Sequence, residues 1–569
     1  MTLILVSVFG IQQLGAQDLE KIGKEKPVKV SGGASANALF YATSDSISRR
    51  EPYTFYTAGN LNINIYDVNM PFTFSYSNQK TNFTQPFNQY CLHPKYKWVT
   101  AHIGYTSMSF SPYTLSGHLF LGAGADFTPK GPVKGSIMAG RLKKAVKQDT
   151  SNEHNLSEYE RWGYGLKTDA TYDKWEFAKV NLTFILFHAK DKISSLSGIP
   201  DTLVTPKENL VLGTVAQVRF VNNINLRAEY STSGMTNDIR SEIGTGANKH
   251  ITSKFGGLYK TNNTSEFYNA VKLNTDYGYE WFTVGVGYER IAPNYQTLGA
   301  YYFNNDLENI TLNGSVTMLK DKVNIAGNVG MQHDNLNNTK VSEMERWVSS
   351  VNVSYSSGEK LNTSVSYSNF TSFTNVRSQF DYINAATPYE NLDTLDFTQL
   401  SESATLNVGY IIKSNEESRQ NININTSFQK ASEKQGDTPE KAGSDFINLN
   451  LSYSNSYVPL GLTTVLAFNS SINNSPELQS FTLGPTLSAN KTFFDKKLRT
   501  TLSSSYNTAY TNGTKGNGVF NVRANASSQI KKRHNINLSL VLMNRKTIIE
   551  DNERKITEFT ATIGYSVGF

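Results

Sequence analysis

Polar and apolar residues alternate along nearly the whole chain with a period of two. In Asn60–Tyr66, Leu61, Ile63 and Ile65 fall on one side, and Asn60, Asn62 and Asn64 on the other. Asn421–Phe428, Ile447–Tyr453 and Asn535–Leu540 repeat the pattern, and Val351, Val353 and Tyr355 alternate with Ser350, Asn352 and Ser354. Wound as helices these segments would have no apolar stripe; as strands they have one apolar and one polar face. The pattern therefore predicts strands from end to end. Beyond the first stretch no run of about 18 apolar residues occurs, so spanning helices are excluded.

Strands of a soluble sandwich usually run about five or six residues, whereas many here reach the ~9–11 needed to cross a bilayer at a tilt. The connections come in two sizes. Tight turns are predicted at Tyr66–Asn69, Pro129–Val133, Tyr172–Lys174, Val221–Asn223, Lys320–Lys322, Ser357–Lys360, Val458–Leu460, Phe494–Lys497 and Ile530–His534. Between them lie longer polar connections: Lys147–Glu160, Ile193–Glu208, Gly234–Ser265, Asn375–Asp396 and Glu433–Ser444. Short periplasmic turns and long outside loops are the arrangement of bacterial transmembrane barrels. Counting strands between the turns, with Phe87–Lys95 as a short descending strand, gives roughly 24–26. The first lies near Val30–Thr43. The expected fold class is all-β: a single large antiparallel transmembrane β-barrel over residues 29–569.

Composition supports that choice. Aromatics make up 12% of the chain, with 31 Tyr and 31 Phe, yet its mean hydropathy is negative. Strands that show apolar residues to lipid and polar ones to water combine these two properties. The net charge of +6, from 54 Lys and Arg against 48 Asp and Glu, is scattered without a basic block, so no nucleic-acid partner is expected. Cys91 is the one cysteine; it allows no disulfide framework within the chain and no cysteine metal site, and reads as a small buried residue. The eight histidines are dispersed, with no GxSxG elbow and no His/Glu pair at zinc-ligand spacing. His102 and His118 flank Ser107, Ser109 and Ser111, a set that a rim hydrolase could use by geometry alone, but isolated surface histidines are far commoner. No enzyme activity, cofactor or metal is expected.

At the other extreme of polarity, Met1–Ile11 is an apolar core followed by Leu14-Gly15-Ala16-Gln17, which reads as a signal peptide over 1–17, cleaved before Asp18. Asp18–Val28 would be a short periplasmic segment. In Phe559–Phe569, the residues Phe559, Ala561, Ile563, Tyr565, Val567 and Phe569 share one face, and Thr, Gly and Ser occupy the other. This resembles the C-terminal strand of outer-membrane barrels, where a terminal aromatic and alternate apolar positions are read by the assembly machinery. The resemblance implies that Phe569, Tyr565 and Val567 form an assembly signal. It also implies location in a Gram-negative outer membrane, with outer-membrane lipid and the barrel assembly machinery as partners. The Asn-, Ser- and Tyr-rich strands, the Ala16-Gln17 end of the leader, and the stretches Asn69–Gln79 and Phe110–His118 resemble large, porin-like outer-membrane barrels of Bacteroidota.

About 26 strands tilted near 40° and ~4.8 Å apart enclose a cylinder roughly 50 Å across, wider than side chains alone can fill. Something must occupy it, whether inward-folded loops or a partner; Lys80–Asn88, Tyr105–Ser116 and Gly234–Ser265 are the internal candidates. Arg141, Lys143, Arg219, Arg227, Glu229 and Arg523 fall on predicted lumen faces. A TonB-dependent transporter resembles this barrel in strand length, but that family carries a folded plug before its first strand, and Asp18–Val28 is too short for one. A lipopolysaccharide-inserting barrel likewise carries a periplasmic domain first, and ordinary porins have fewer strands. The expected function is a wide conduit or transport channel, plugged by its own loops or by a partner. The alternative is a non-conducting structural or accessory subunit docked on another outer-membrane protein or lipoprotein.

Overall fold

The computed structural model describes residues 28–569 apart from 47, 67, 79–87, 147–156, 197–203, 222, 243–258, 302–303, 340–344, 359, 370–401, 432–443, 476–477, 496, 532 and 550–551. The expected leader and, up to residue 27, the segment expected after it lie outside the described residues, as does most of Lys80–Asn88. In chain order the strands begin with β1 (Val28–Thr43), β2 (Tyr53–Ile65), β3 (Val68–Ser77), β4 (Gln89–Leu92), β5 (Lys95–Tyr96), β6 (Val99–Ser109), β7 (Ser116–Phe127), β8 (Val133–Lys143) and β9 (Arg161–Tyr172). They continue with β10 (Ala178–Asp191), β11 (Glu208–Phe220), β12 (Ile224–Thr236), β13 (Ser265–Tyr279), β14 (Phe282–Ile291), β15 (Leu307–Met318), β16 (Val323–His333), β17 (Glu345–Ser356) and β18 (Leu361–Ser368). The last are β19 (Glu402–Ser414), β20 (Ser418–Ala431), β21 (Ser444–Tyr457), β22 (Leu462–Asn474), β23 (Gln479–Phe493), β24 (Leu498–Thr511), β25 (Thr514–Lys531), β26 (His534–Ile549) and β27 (Asn552–Gly568).

Each strand pairs antiparallel with its neighbours. The short β4 and β5 together fill one place between β3 and β6, so the 27 segments form 26 staves of one closed barrel. That place is the descending strand expected at Phe87–Lys95. β1 closes against β27, running from Gly33 opposite Gly568 to Thr43 opposite Glu558. Past the last pair, the Phe569 amide donates to the Gly32 carbonyl at 2.9 Å. Closure leaves no free sheet edge.

Pairing fixes which residues share a face, because partners directly opposite project to the same side. Leu61, Ile63 and Ile65 of β2 oppose Gly32, Val30 and Val28; Asn62 and Asn64 stand with Ser31 and Lys29 on the other face. The apolar face looks outward. Leu487, Leu502, Phe184 and Ile563 are exposed there, as a lipid-facing band requires. Aromatic girdles bound it. Near the tight turns are exposed Trp98, Trp175, Phe177 and Trp281, with Trp175 and Phe177 stacked at 5.4 Å. Near the opposite rim, Phe40, Tyr53, Phe55 and Tyr76 form a chain of ring contacts 5.2 to 6.3 Å apart.

Two features of the connections depart from the sequence reading. Glu280-Trp281 and Asn415–Glu417 are further tight turns, the second held by the Asn415 carboxamide accepting from the Ser418 amide at 2.7 Å. Neither contains the Gly or Pro that marks a turn in sequence. The alternation of long and short connections also stops after β22: Ser475–Leu478 and Asn512-Gly513 are as tight as the turns at the opposite rim. There the strands themselves lengthen instead, to 18 residues in β25 and 17 in β27.

Candidate functional site

Inside the barrel two loops from one rim fold onto the inner wall and form a shelf. The first, Phe110–Leu115, joins β6 to β7; the second joins β14 to β15 through Tyr295–Gly299. They are bonded to each other. The Tyr295 hydroxyl donates to the Tyr113 carbonyl at 2.7 Å, and the Thr297 hydroxyl donates to the Thr114 carbonyl at 2.7 Å. The Ser116 amide donates to the Gly299 carbonyl at 2.9 Å. Loop backbone brought out of water needs such partners.

The wall completes the anchoring. Asn209 of β11 accepts from the Leu298 amide at 3.0 Å, and the Ser233 hydroxyl of β12 donates to the Gln296 carbonyl at 2.6 Å. Beneath the loops lies an apolar cluster: Phe110 and Leu115 from the shelf, and Phe120, Met138, Leu142, Ile185, Phe187 and Val211 from β7 to β11. Apolar side chains on a lumen face are the reverse of the usual barrel pattern, and the shelf is what covers them. Two glycines allow the close approach. A Cβ on Gly165 would sit 2.7 Å from the Phe110 ring, and one on Gly299 would sit 2.6 Å from the Thr114 carbonyl.

Charge secures the far edge of the shelf. The Tyr113 hydroxyl donates to the Glu289 carboxylate, which also lies 3.4 Å from the Lys272 ammonium. Burial, and then the Glu289 charge, hold the Tyr113 phenol protonated far above the ordinary tyrosine range. Glu229, Lys272, Glu289 and Asn309 are successive cross-strand partners on this inner wall. Higher up, Arg161 grips Asp191 with two bonds of 2.7 and 3.0 Å.

The residues expected to line the lumen divide as follows. Arg219 and Arg227 project to the inner face from β11 and β12, and Glu229 joins them, 3.5 Å from Arg227. Arg523 is opposite Ser503 on the inner face. Lys143 is opposite Arg161 and 3.0 Å from Glu158. Arg141 is the exception. Regular alternation with Ile137 and Ala139 puts Arg141 on the outer face with its partners Leu121 and Trp162, 3.9 Å from Glu160, and the bulge after it brings Lys143 to the inner face instead. At the closing seam, Tyr565 and Val567 are opposite Ala36 and Ala34 on the outer face.

Of the three candidate plug segments, Tyr105–Ser116 contains the first shelf loop. The described part of Gly234–Ser265 is compact at its base, where Tyr259 bonds Thr236 at 2.9 Å; residues 243–258 lie outside the described residues. The second shelf loop went unmarked in sequence, because Tyr295 and Leu298 follow no period. Also unmarked was a side-chain chain low on the inner wall. Cys91 contacts His93 at 2.8 Å, His93 contacts His102 at 2.7 Å, and His102 contacts Asp126 at 2.8 Å. The contacts run in a line, and among the described residues no group of three acids, histidines or cysteines could hold a metal ion. His118 stands apart, stacked on Tyr301 at 4.1 Å, so the two histidines flanking the serines do not meet.

From β16 round to β24 no described loop covers the inner wall. Its side chains form neutral ladders: Ser364, Asn407, Asn425, Asn450 and Asn469 are successive partners. Asn407 donates to Ser364 at 3.2 Å. A shallow groove of about 390 Å³ runs along this wall past Asn324, Ser354 and Asn407.

No family model matches this chain, and no curated protein matches it. Solved structures similar to it include the outer membrane transporter YddB of Escherichia coli, at 9% identity and TM-score 0.40, covering 94% of this chain and 80% of that one. The FrpB iron transporter of Neisseria meningitidis is similar at 12% identity and TM-score 0.38, covering 97% and 83%. OccAB4 of Acinetobacter baumannii, at 9% and 0.27, covers 77% and 97%. These likenesses extend to a large outer-membrane-type barrel and no further.

Proposed function

We propose that this protein is a wide outer-membrane conduit for water-soluble solutes, narrowed on one side of its lumen by a built-in shelf. The observation that carries the reading is the shelf itself. Two loops bonded to each other and to the wall occupy one side of a cylinder roughly 50 Å across, while the opposite wall stays lined with water-compatible side chains. A barrel serving only as scaffold has no need of a polar inner arc that no described segment covers. In this reading a separate outer-membrane protein or lipoprotein covers the remaining opening, outer-membrane lipid meets the apolar band, and the barrel assembly machinery recognises Phe569, Tyr565 and Val567.

Swelling of proteoliposomes in neutral sugars of increasing size tests the proposal. Uptake of small sugars, falling off with size, is expected. An absence of swelling, with stable co-purification of another outer-membrane protein, would replace the conduit by the accessory-subunit reading.

A further inference from the structure

The inner wall ends toward the periplasmic turns in a belt of cations. Lys134, Lys179, Arg219, Lys322, Arg419 and Arg499 are all exposed; the register turns the five strand residues inward, and Lys322 lies in the turn before β16. Lys134 is opposite Asp169, and Lys179 is opposite Arg219, itself opposite Asn225. Arg419 is opposite Ser456 and Arg499 opposite Ser527, while Lys322 borders the groove beside Asn324 and Ser354. Among the described strand residues, the inward carboxylates at that level are Asp126, Asp169 and Asp276, all between β7 and β13. Asp126 is engaged by His102 and Ser136; Asp169 accepts from Thr183 at 2.6 Å and lies 3.7 Å from Lys167. No described carboxylate forms an ion pair with any of the six cations.

Folding alone does not favour this arrangement. Two cations directly opposite across a strand pair, as Lys179 and Arg219 are, destabilise a sheet, and an uncompensated belt repels itself. What such a belt supplies is field: a mouth lined by one sign of charge concentrates ions of the other sign.

We propose that the periplasmic mouth is an electropositive collar that makes the lumen select small anionic solutes over cations. This inference rests on the conduit reading. The mouth's radius is about 25 Å, and the field reaches ~30 Å at 0.01 M salt but only ~3 Å at 1 M. Selectivity therefore belongs to low ionic strength and disappears in high salt. The neutral ladders of β16 to β24 then offer a passing anion hydrogen bonds without a competing charge.

The test uses two measurements on the full-length protein and on a variant with all six cations replaced by Gln, its folding checked by heat-modifiability. A second variant, with every Lys exchanged for Arg and every Arg for Lys, keeps the charge. In planar bilayers under a KCl gradient, the reversal potential should show chloride favoured over potassium on the order of threefold near 0.01 M. The preference should vanish at 1 M and in the Gln variant, and survive in the exchanged one. The second measurement does not depend on conduction. A fluorophore is attached at Ser356→Cys, beside Lys322, in a Cys91→Ser background, and quenched by iodide, acrylamide or caesium. Iodide should outperform caesium at low salt, and the Gln substitutions should remove the advantage. Equal quenching by the two ions in the parent protein, or a cation preference, overturns the collar. A complete lack of conductance overturns the conduit reading alone, and iodide quenching still decides the collar.

Discussion

The arc from β6 to β15 and the arc from β16 to β27 are built from the same alternating strands, but they use the inner face in opposite ways. In the first, inward positions carry Met138, Ile185, Phe187 and Val211, and two loops descend to bury them. In the second, inward positions carry Asn407, Asn425, Asn450 and Asn469, and nothing described covers them. The outer faces are alike. A barrel's outer face is therefore dictated by lipid, while its inner face is free to be written either for covering or for water.

That comparison presupposes one ring, and the most damaging change should be the one that opens it. Phe569 extends the pairing of β27 past Gly568 to the Gly32 carbonyl, at the only seam where distant parts of the chain meet among the described strands. Its deletion should sharply reduce the heat-modifiable, protease-resistant barrel in the membrane without changing synthesis. Normal levels of folded barrel would show that closure does not depend on it.

Next in size is a contrast between the two arcs. Leu115 is buried in the shelf cluster, so Leu115→Ala should weaken shelf packing by about 2–5 kcal/mol. Asn425→Ala, on the wall of the second arc, should stay within ~0.5 kcal/mol. Hydrogen exchange of the Ser116 amide, which donates to Gly299, reports the first directly. If exchange there is equally fast in the parent and in Leu115→Ala, the loops are draped over the wall rather than packed on it.

Much of the barrel was legible because its signals are local and periodic. Leu61, Ile63 and Ile65 announce an outward face by alternation alone, and Phe559–Phe569 announces a terminal strand in the same way. The descending strand at β4 and β5 was legible only through topology: tight and long connections alternate correctly there only if one is inserted. The shelf was half legible. Phe110, Tyr113 and Leu115 lie in a segment long enough to be suspected of filling the lumen, but the second loop acquires its apolar role only by meeting the first, a contact across 182 residues between Tyr113 and Tyr295. Arg141 shows the limit of counting by twos, since one bulge between it and Lys143 puts the two on opposite faces. The glycines at 163 and 165 were a usable sign of close approach to the inner wall, although they do not say what approaches.

Single-channel conductance of a shelf-less protein tests the account's centre most directly. Ser111–Thr114 and Asn294–Asn304 would be replaced by short turns joining β6 to β7 and β14 to β15, with heat-modifiability confirming that the ring remains closed. If the shelf narrows the lumen, conductance should rise above that of the parent and larger neutral sugars should enter. Equal conductance and an unchanged size limit in a folded, shelf-less barrel would contradict it.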